Sequence, residues 1–179
     1  MKPREDMLMA GLIGKGCNIG LGKLASISEG ISEHRLHNTV NWFFSIDNIR
    51  STNHKIVDAI HQLALANNYL HDADVIHSSS DGRKVNVAVD CLHANRSFKY
   101  FGNDKGVTIY TFIDETQSLF HSSVFSSSDR EAPYVIDGLM ENPVPEQKRI
   151  HSTDTHRYTE QIFAASHFLG SLLRQGSRI

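Results

Sequence analysis

The stretch His77-Ser78-Ser79-Ser80-Asp81-Gly82-Arg83 separates a helix-like first part of the chain from a strand-rich second part. Its aspartate is predicted to lie in a hydroxyl-rich turn directly before the alternating run 84–91. A sheet protein can present a metal-binding carboxylate at such a position. An Asp-Gly pair after three serines is also ordinary turn chemistry, so Asp81 alone does not identify a site.

A second segment of the same kind is Lys148-Arg149-Ile150-His151-Ser152-Thr153-Asp154-Thr155-His156. Its carboxylate, Asp154, again ends a strand-like run among hydroxyls and a histidine. The two aspartates are far enough apart in sequence for intervening strands to bring them together. Together they are the candidate metal-binding carboxylates of this chain.

Composition is that of a globular protein with room for one domain, or for one domain and an appendage. The chain has 179 residues, of which 40% are hydrophobic and 21% charged, and its formal net charge is −2. Such a charge provides no global attraction for nucleic acid, so DNA contacts require local basic patches or a bound metal. Cys17 and Cys91 form no metal-ligand motif and indicate reduced cysteines in the cytoplasm. Neither a signal peptide nor an apolar run of roughly 18 residues is present, so no membrane association is expected.

The first 70 residues read as helical. Five glycines within residues 8–24 fit neither the GxGxxG nor the GxxxxGK nucleotide-binding pattern and predict turns between short helices. A later helix is predicted to begin at Ser51, with a buried stripe of Ile56, Ile60, Leu63 and Ala64 and with His61 on the solvated face. Two histidine pairs, His34/His37 and His54/His61, can share a helix face, but surface histidines are the simpler interpretation.

From residue 84 the hydrophobic period changes to two. Runs at 84–91, 106–113 and 119–126 predict an antiparallel meander. A capping box at 128–131 predicts a helix, followed by a strand that ends at Asp154 and a last helix closed by Gly170. A helix between the third and fourth strands implies a right-handed crossover and a parallel neighbour, and hence a mixed α/β sheet.

Several short sequence segments, taken in their order and spacing, resemble the catalytic region of the Tn3 family of replicative transposases. They are Gly16-Cys17-Asn18-Ile19-Gly20, Ser79-Ser80-Asp81-Gly82, Asn95-Arg96-Ser97-Phe98-Lys99-Tyr100, Lys105-Gly106-Val107-Thr108-Ile109-Tyr110-Thr111, Glu131-Ala132-Pro133-Tyr134-Val135-Ile136-Asp137-Gly138-Leu139 and Thr153-Asp154-Thr155-His156. The resemblance runs from about Ala10 to Gly170. It implies a ribonuclease H-like core in which two aspartates and a glutamate hold two magnesium ions. Asp81 and Asp154 match the two aspartates as catalytic residues and metal ligands, the first on an early strand and the second at the end of the fourth strand.

The resemblance also implies a division of the chain: a helical lead segment at 1–70, a truncated catalytic core at 71–170 and a non-matching tail at 171–179. The family's glutamate lies beyond the second aspartate, and no residue of this chain matches it. Glu160, the only acidic residue after Asp154, is most simply a favourable charge in a first helical turn. Arg157 replaces the family's glycine, and the tail suggests a frameshift or a premature stop within a larger protein.

The expected function is DNA strand cleavage and joining in replicative transposition, by a fragment that is inactive alone. Alternatives are a non-catalytic remnant that binds DNA or full-length transposase, and a pseudogene product without function. Expected partners are transposon-end and target DNA and other transposase copies. Candidate DNA contacts are Arg96, Lys99 and Lys105, which are interleaved with aromatic residues that can stack on bases. A serine hydrolase is disfavoured because no GxSxG motif occurs.

Overall fold

The computed structural model describes residues 3–72, 75–89, 91–141, 148–153, 159–169 and 171–175. The chain forms two compact units, Met1–Asn53 and His54–Ile179. The predicted boundary between helical segment and catalytic core, at residue 70, therefore differs from this division. The difference arises because Val57, in the predicted helical segment, belongs to the hydrophobic core of the second unit.

The first unit is helical. It contains α1 (Glu5–Gly16), α2 (Leu21–Ile27), α3 (Glu33–Phe43) and the start of α4 (Ile46–His61). Its core consists of apolar residues from the first three helices: Met7, Leu21, Leu24, Leu36 and Val40. Three of the five glycines predicted to form turns instead lie inside α1, and the break between α1 and α2 falls at residues 17–20.

The prediction for α4 was wrong in both start and buried face. The helix begins at Ile46, so Ser51 is an interior residue and not a cap. Val57 is 2% exposed, whereas Ile56 and Leu63 are 53% and 57% exposed. His61 is half-buried, and its Nε2 lies 2.7 Å from the buried carboxylate of Asp114. A short 3-10 helix (Ala64–Tyr69) follows α4.

The second unit is built on a six-stranded mixed sheet. The strands are β1 (Val75–Asn86), β2 (Asn95–Arg96), β3 (Lys105–Asp114), β4 (Leu119–Ser126), β5 (Lys148–Thr153) and β6 (Ser171–Gln175). Their order is β2-β3-β1-β5-β6, with β4 also paired to β3. The pairs β1–β3 and β3–β4 are antiparallel, and the pairs β1–β5 and β5–β6 are parallel.

This arrangement confirms the predicted mixed α/β fold. An antiparallel meander is continued by parallel strands that follow helices, with α6 (Ala132–Met140) between β4 and β5 and α7 (Glu160–Phe168) between β5 and β6. Such a sheet, with its first long strand at the centre, is ribonuclease H-like. A short helix, α5 (Phe98–Phe101), lies between β2 and β3. Residues 171–175, predicted as a tail, pair with β5 as a further parallel strand.

The core of the second unit lies against one face of the sheet. It is formed by Val57 from α4, Tyr110, Phe112, Phe120 and Phe125 from the meander, and Val135 and Leu139 from α6. The rings of Tyr110 and Phe112 meet edge to face with centroids 5.0 Å apart. Among the described residues, no helix is both long enough and apolar enough to cross a membrane.

Candidate active site

Asp81 lies in the interior of β1 and is exposed. Its Oδ1 accepts a hydrogen bond from the backbone N–H of Gly82 at 2.9 Å. Its backbone carbonyl accepts one from the hydroxyl of Thr111, the residue opposite in β3, at 3.3 Å. The turn predicted from the local residues was therefore wrong, whereas the strand position implied by the family resemblance is confirmed. The serines that suggested a turn fit a central strand because Ser78 and Ser80 have partners inside the sheet.

The strand beside β1 is β5, which leads directly to Asp154 in sequence. The two strands are parallel, and their pairing runs from Val75–Lys148 to Ser79–Ser152. Each aspartate follows the Ser79–Ser152 pair by two residues in the sequence. Asp154 and Arg157 lie outside the described residues, so the described part of the site is Asp81 and the β1–β5 pair.

A buried hydrogen-bond network links β1, β3 and β5 behind Asp81. The imidazole of His151, which is fully buried, lies with Nδ1 2.8 Å from the hydroxyl of Ser78 and with Nε2 2.9 Å from that of Ser80. The Ser80 hydroxyl also lies 2.7 Å from the hydroxyl of Tyr110. Burial lowers the pKa of His151 from 6.5 to about 4, so its imidazole is neutral at neutral pH.

The buried face of β1 also carries an ion pair to the start of α6. Lys84 Nζ lies 3.4 Å from Glu131, and both side chains are largely buried. The same amine donates hydrogen bonds to Thr108 and to the backbone carbonyl of Ser127, and it lies 4.7 Å from the centre of the Tyr100 ring. Glu131 therefore anchors α6 to the sheet. The predicted capping box does not form, because no side chain in the described residues caps the start of α6.

Two side chains approach Gly82, the residue beside Asp81, closely. A Cβ atom at Gly82 would lie 2.9 Å from Glu131 Oε2 and 3.0 Å from the Tyr110 ring. Such contacts are closer than side chains tolerate, so any larger residue would displace Glu131 or the ring. The Asp-Gly pair is thus a close approach within a strand and not a turn signal.

Two of the three candidate DNA contacts are brought together. Arg96 in β2 is directly opposite Lys105 in β3. Both line a polar cleft of about 520 Å³, which also includes Asp104. Lys99 does not line this cleft; its amine lies 5.3 Å from the Tyr100 ring.

Other candidates from the sequence lie on helices. Glu160 is exposed in the first turn of α7, whose cap Thr159 accepts a hydrogen bond from the N–H of Ile162, as expected for a helix-start acid. His34 contacts Asn38, and His37 lies 3.8 Å from Glu33. Within the described part of the chain, no three His, Cys, Asp or Glu residues form a metal-binding group.

Sequence reasoning missed the His151 network and the Lys84–Glu131 pair. The available signal for the network was the two-residue spacing of Ser78 and Ser80, which places both hydroxyls on one face of a strand. Because this segment was predicted to be a turn, the spacing was not interpreted as one face of a strand. The ion pair joins residues far apart in sequence, so no local pattern indicated it.

The fold is that of a ribonuclease H-like domain, in which the central strand β1 carries Asp81 and the adjacent parallel strand β5 precedes Asp154 in the sequence. The model of the Tn3 transposase DDE domain matches residues 1–174. The chain belongs to this family. The match includes most of β6 and extends past the predicted end of the family resemblance at Gly170.

Curated relatives are similar over nearly all of the chain. The transposase for transposon Tn1546 from Enterococcus faecium is 34% identical over 94% of this chain and 17% of its own length. The transposase for transposon Tn2501 from Escherichia coli is 29% identical over 95% of this chain and 17% of its own length. The chain thus spans about a sixth of these relatives. A cryo-EM structure of a piggyBac transposase synaptic complex with hairpin DNA has a TM-score of 0.48 and 16% identity, covering 98% of this chain and 42% of that one.

Proposed function

We propose that this chain is part of the catalytic region of a DDE-type transposase, which cleaves and joins DNA strands in replicative transposition. In this proposal Asp81 and Asp154 are two of the carboxylates that hold Mg²⁺. The observation that carries it is the parallel pairing of β1 with β5, which makes neighbours of the strand that contains Asp81 and the strand that precedes Asp154. Membership of the Tn3 transposase DDE family supports the same reaction class.

One described residue of the candidate site, Asp81, is suited to a hard divalent cation. Asp81 offers carboxylate oxygens from an exposed position on a central strand, and Mg²⁺ prefers such oxygen ligands. When bound, paired Mg²⁺ ions supply activation of the attacking oxygen and stabilisation of the leaving oxygen in an in-line displacement. In this proposal the chain supplies Asp81 from β1, and Asp154 from the residues that follow β5 in the sequence. The third ligand, by family resemblance, is a glutamate with no counterpart in this chain.

DNA is the proposed partner, both as transposon ends and as target. The opposed side chains of Arg96 and Lys105 provide two cations that can contact phosphate at one end of the sheet. Phe98, which is 82% exposed, offers a ring for stacking close to them in sequence. We further propose a cytoplasmic location, supported by two exposed free cysteines.

Metal binding tests the carboxylate assignment. Titration of the chain with Mn²⁺, followed by calorimetry or electron paramagnetic resonance, should reveal a weak site. Asp81→Asn and Asp154→Asn should each abolish it, since both remove an anionic ligand while keeping the side-chain size. An Asp47→Asn variant, which changes one exposed helical carboxylate, is the matched control. Binding that is unaffected by either aspartate would reject the proposal.

Strand chemistry tests the expectation that the chain is inactive alone. A labelled transposon-end duplex is incubated with the chain and with the Asp81→Ala, Asp154→Ala double variant, in Mg²⁺ or Mn²⁺. The two preparations should behave alike, because losing one metal ligand removes several kcal/mol of transition-state stabilisation, at tenfold in rate per 1.36 kcal/mol. Nicking that only the unaltered chain performs would reveal a substitute ligand, and Glu160→Gln would then be the first variant to examine.

A further inference from the structure

His151 lies on the face of the sheet opposite to Asp81. Side chains alternate along a strand, and Ser78 and Ser80 are buried with the imidazole, whereas Asp81 is exposed. The histidine therefore cannot contact an ion bound at Asp81. Any influence on the site must pass through the backbones of β1 and β5.

We propose that His151 is a positioning residue of the candidate site: by bridging Ser78 and Ser80 it sets the register of β5 against β1, and so fixes where the end of β5 lies relative to Asp81. This role rests on the proposed function, because it concerns the two carboxylates assigned there. It adds three buried residues to that function: His151, Ser78 and Ser80.

Register selection follows from the order of residues along β1. His151 is opposite Ser78, and its two ring nitrogens reach the hydroxyls of Ser78 and Ser80. If β5 slipped by two residues towards the C-terminal end of β1, the imidazole would lie between Ser80 and Gly82, and Gly82 has no hydroxyl. A slip in the other direction would place it between Ile76 and Ser78. A one-residue slip would move it to the exposed face. Only the observed register satisfies both nitrogens.

The hydrogen-bond donors and acceptors of the network can be matched, which is consistent with this role. A neutral imidazole has one donor and one acceptor nitrogen, and each serine hydroxyl can complement either. The chain of contacts continues from Ser80 to Tyr110 in β3, while the imidazole stacks on Phe112 with ring centroids 5.6 Å apart. Three strands are thus tied together at one level of the sheet. Loss of either serine hydroxyl would leave a buried ring nitrogen without its bond and would loosen this level.

The test compares near-isosteric variants of the chain by Mn²⁺ affinity, measured well below the melting temperature with folding checked by circular dichroism. Ser78→Ala and Ser80→Ala should each weaken Mn²⁺ binding about tenfold, the size typical of outer residues that orient metal ligands. Ser123→Ala is the matched control, because the Ser123 hydroxyl is buried in β4 with no hydrogen-bond partner in the described part of the chain. It should bind Mn²⁺ as the unaltered chain does.

Two further measurements separate positioning from general stability. In a His151→Gln background, the serine substitutions should no longer change Mn²⁺ affinity, because they act through the imidazole. In ¹⁵N spectra of the His151 ring, Ser78→Ala and Ser80→Ala should shift the tautomer equilibrium in opposite directions, whereas Ser123→Ala should not change it. If His151→Gln does not fold, the serine variants and the spectra carry the test.

The outcomes are distinct. Asp81-dependent binding that both serine variants weaken supports the positioning role. Asp81-dependent binding that neither weakens, despite an altered His151 spectrum, overturns the positioning role and leaves the proposed function intact. Binding that Asp81→Asn does not affect overturns the proposed function, and the positioning role with it.

Discussion

At the scale of single residues, His151 makes the stability of the fold depend on pH. Its pKa is lowered to about 4 in the folded protein because the ring is buried, whereas an unfolded chain titrates near 6.5. Between these values the unfolded state binds more protons, so stability is full above pH 6.5 and decreases as the pH falls to about 4. This one group should remove up to about 3 kcal/mol of unfolding free energy across that window.

Chemical denaturation at a series of pH values, compared between the chain and His151→Gln, measures this contribution. The free-energy difference between the two proteins should shrink between pH 7 and pH 4, because glutamine does not titrate. The other ten histidines are common to both proteins and cancel in the difference. A difference that stays constant with pH would show that His151 is not held neutral by the fold.

A second residue-scale prediction concerns Arg96. If it neutralises a DNA phosphate, Arg96→Ala should weaken duplex binding and reduce the slope of log affinity against log salt by about one. Fluorescence anisotropy at several salt concentrations measures both quantities. Lys55→Ala, which removes the same charge from an exposed position in α4, is the control and should leave the slope unchanged. Equal slopes for Arg96→Ala and the unaltered chain would remove Arg96 from the interface.

At the scale of elements, α6 packs on β3 through a glycine. A Cβ atom at Gly138 would lie 2.1 Å from the ring of Phe112, which is fully buried. Gly138→Ala should therefore push the helix away from the strand and destabilise the fold by about 1–3 kcal/mol, as overpacking typically does. Thermal melting should show a midpoint lowered by several degrees.

Gly16→Ala is the matched control for this substitution. Gly16 ends α1, and a Cβ atom there would meet nothing within 4 Å. Alanine should be neutral or slightly stabilising at this position, by less than about 1 kcal/mol. A similar loss of stability in both variants would mean that the helix–strand contact at Gly138 is not the cause.

Helices and strands could be predicted from the sequence where the local residues favoured only one type of structure. The run 106–113, inside β3, is rich in β-branched and aromatic residues, and the weaker run 119–126 coincides with β4; both strands were predicted. β1 was misread because its serines and Asp-Gly pair suit a turn locally, and only pairing on both sides by β3 and β5 makes them a strand. The buried face of α4 was misplaced because tertiary packing selects Val57 and leaves Ile56 outside.

The residue types of the candidate site could be predicted from the sequence, but the buried hydrogen-bond network behind Asp81 could not. Two aspartates after serine- or threonine-containing segments could be read from the sequence, and with them the family resemblance. The network behind Asp81 depends on strand register, which joins Ser78 to His151 across 73 positions. No local pattern contains that information, since it arises only when β5 pairs with β1.

At the scale of the whole molecule, large apolar side chains are on the surface of the chain. Trp42, Leu92, Phe98 and Phe168 are 79%, 96%, 82% and 90% exposed. In addition, β6 pairs only with β5 among the described strands, so it forms one edge of the sheet. Exposed apolar surface and an edge strand with open hydrogen-bonding groups both favour association. The isolated chain, a sixth of the length of its relatives, should therefore bind hydrophobic dyes and self-associate.

Light scattering coupled to size-exclusion chromatography, at several protein concentrations, measures this association. The average mass should rise with concentration, and the substitutions Trp42→Ser, Phe98→Ser and Phe168→Ser should lower it stepwise, since each removes an exposed ring. His34→Ser, which replaces an exposed polar ring in the same chain, is the control and should leave the mass unchanged. The prediction would be contradicted by a chain that remains monomeric at all concentrations, melts sharply and cooperatively, and binds no dye. In that case the exposed apolar side chains and the edge strand would not cause association.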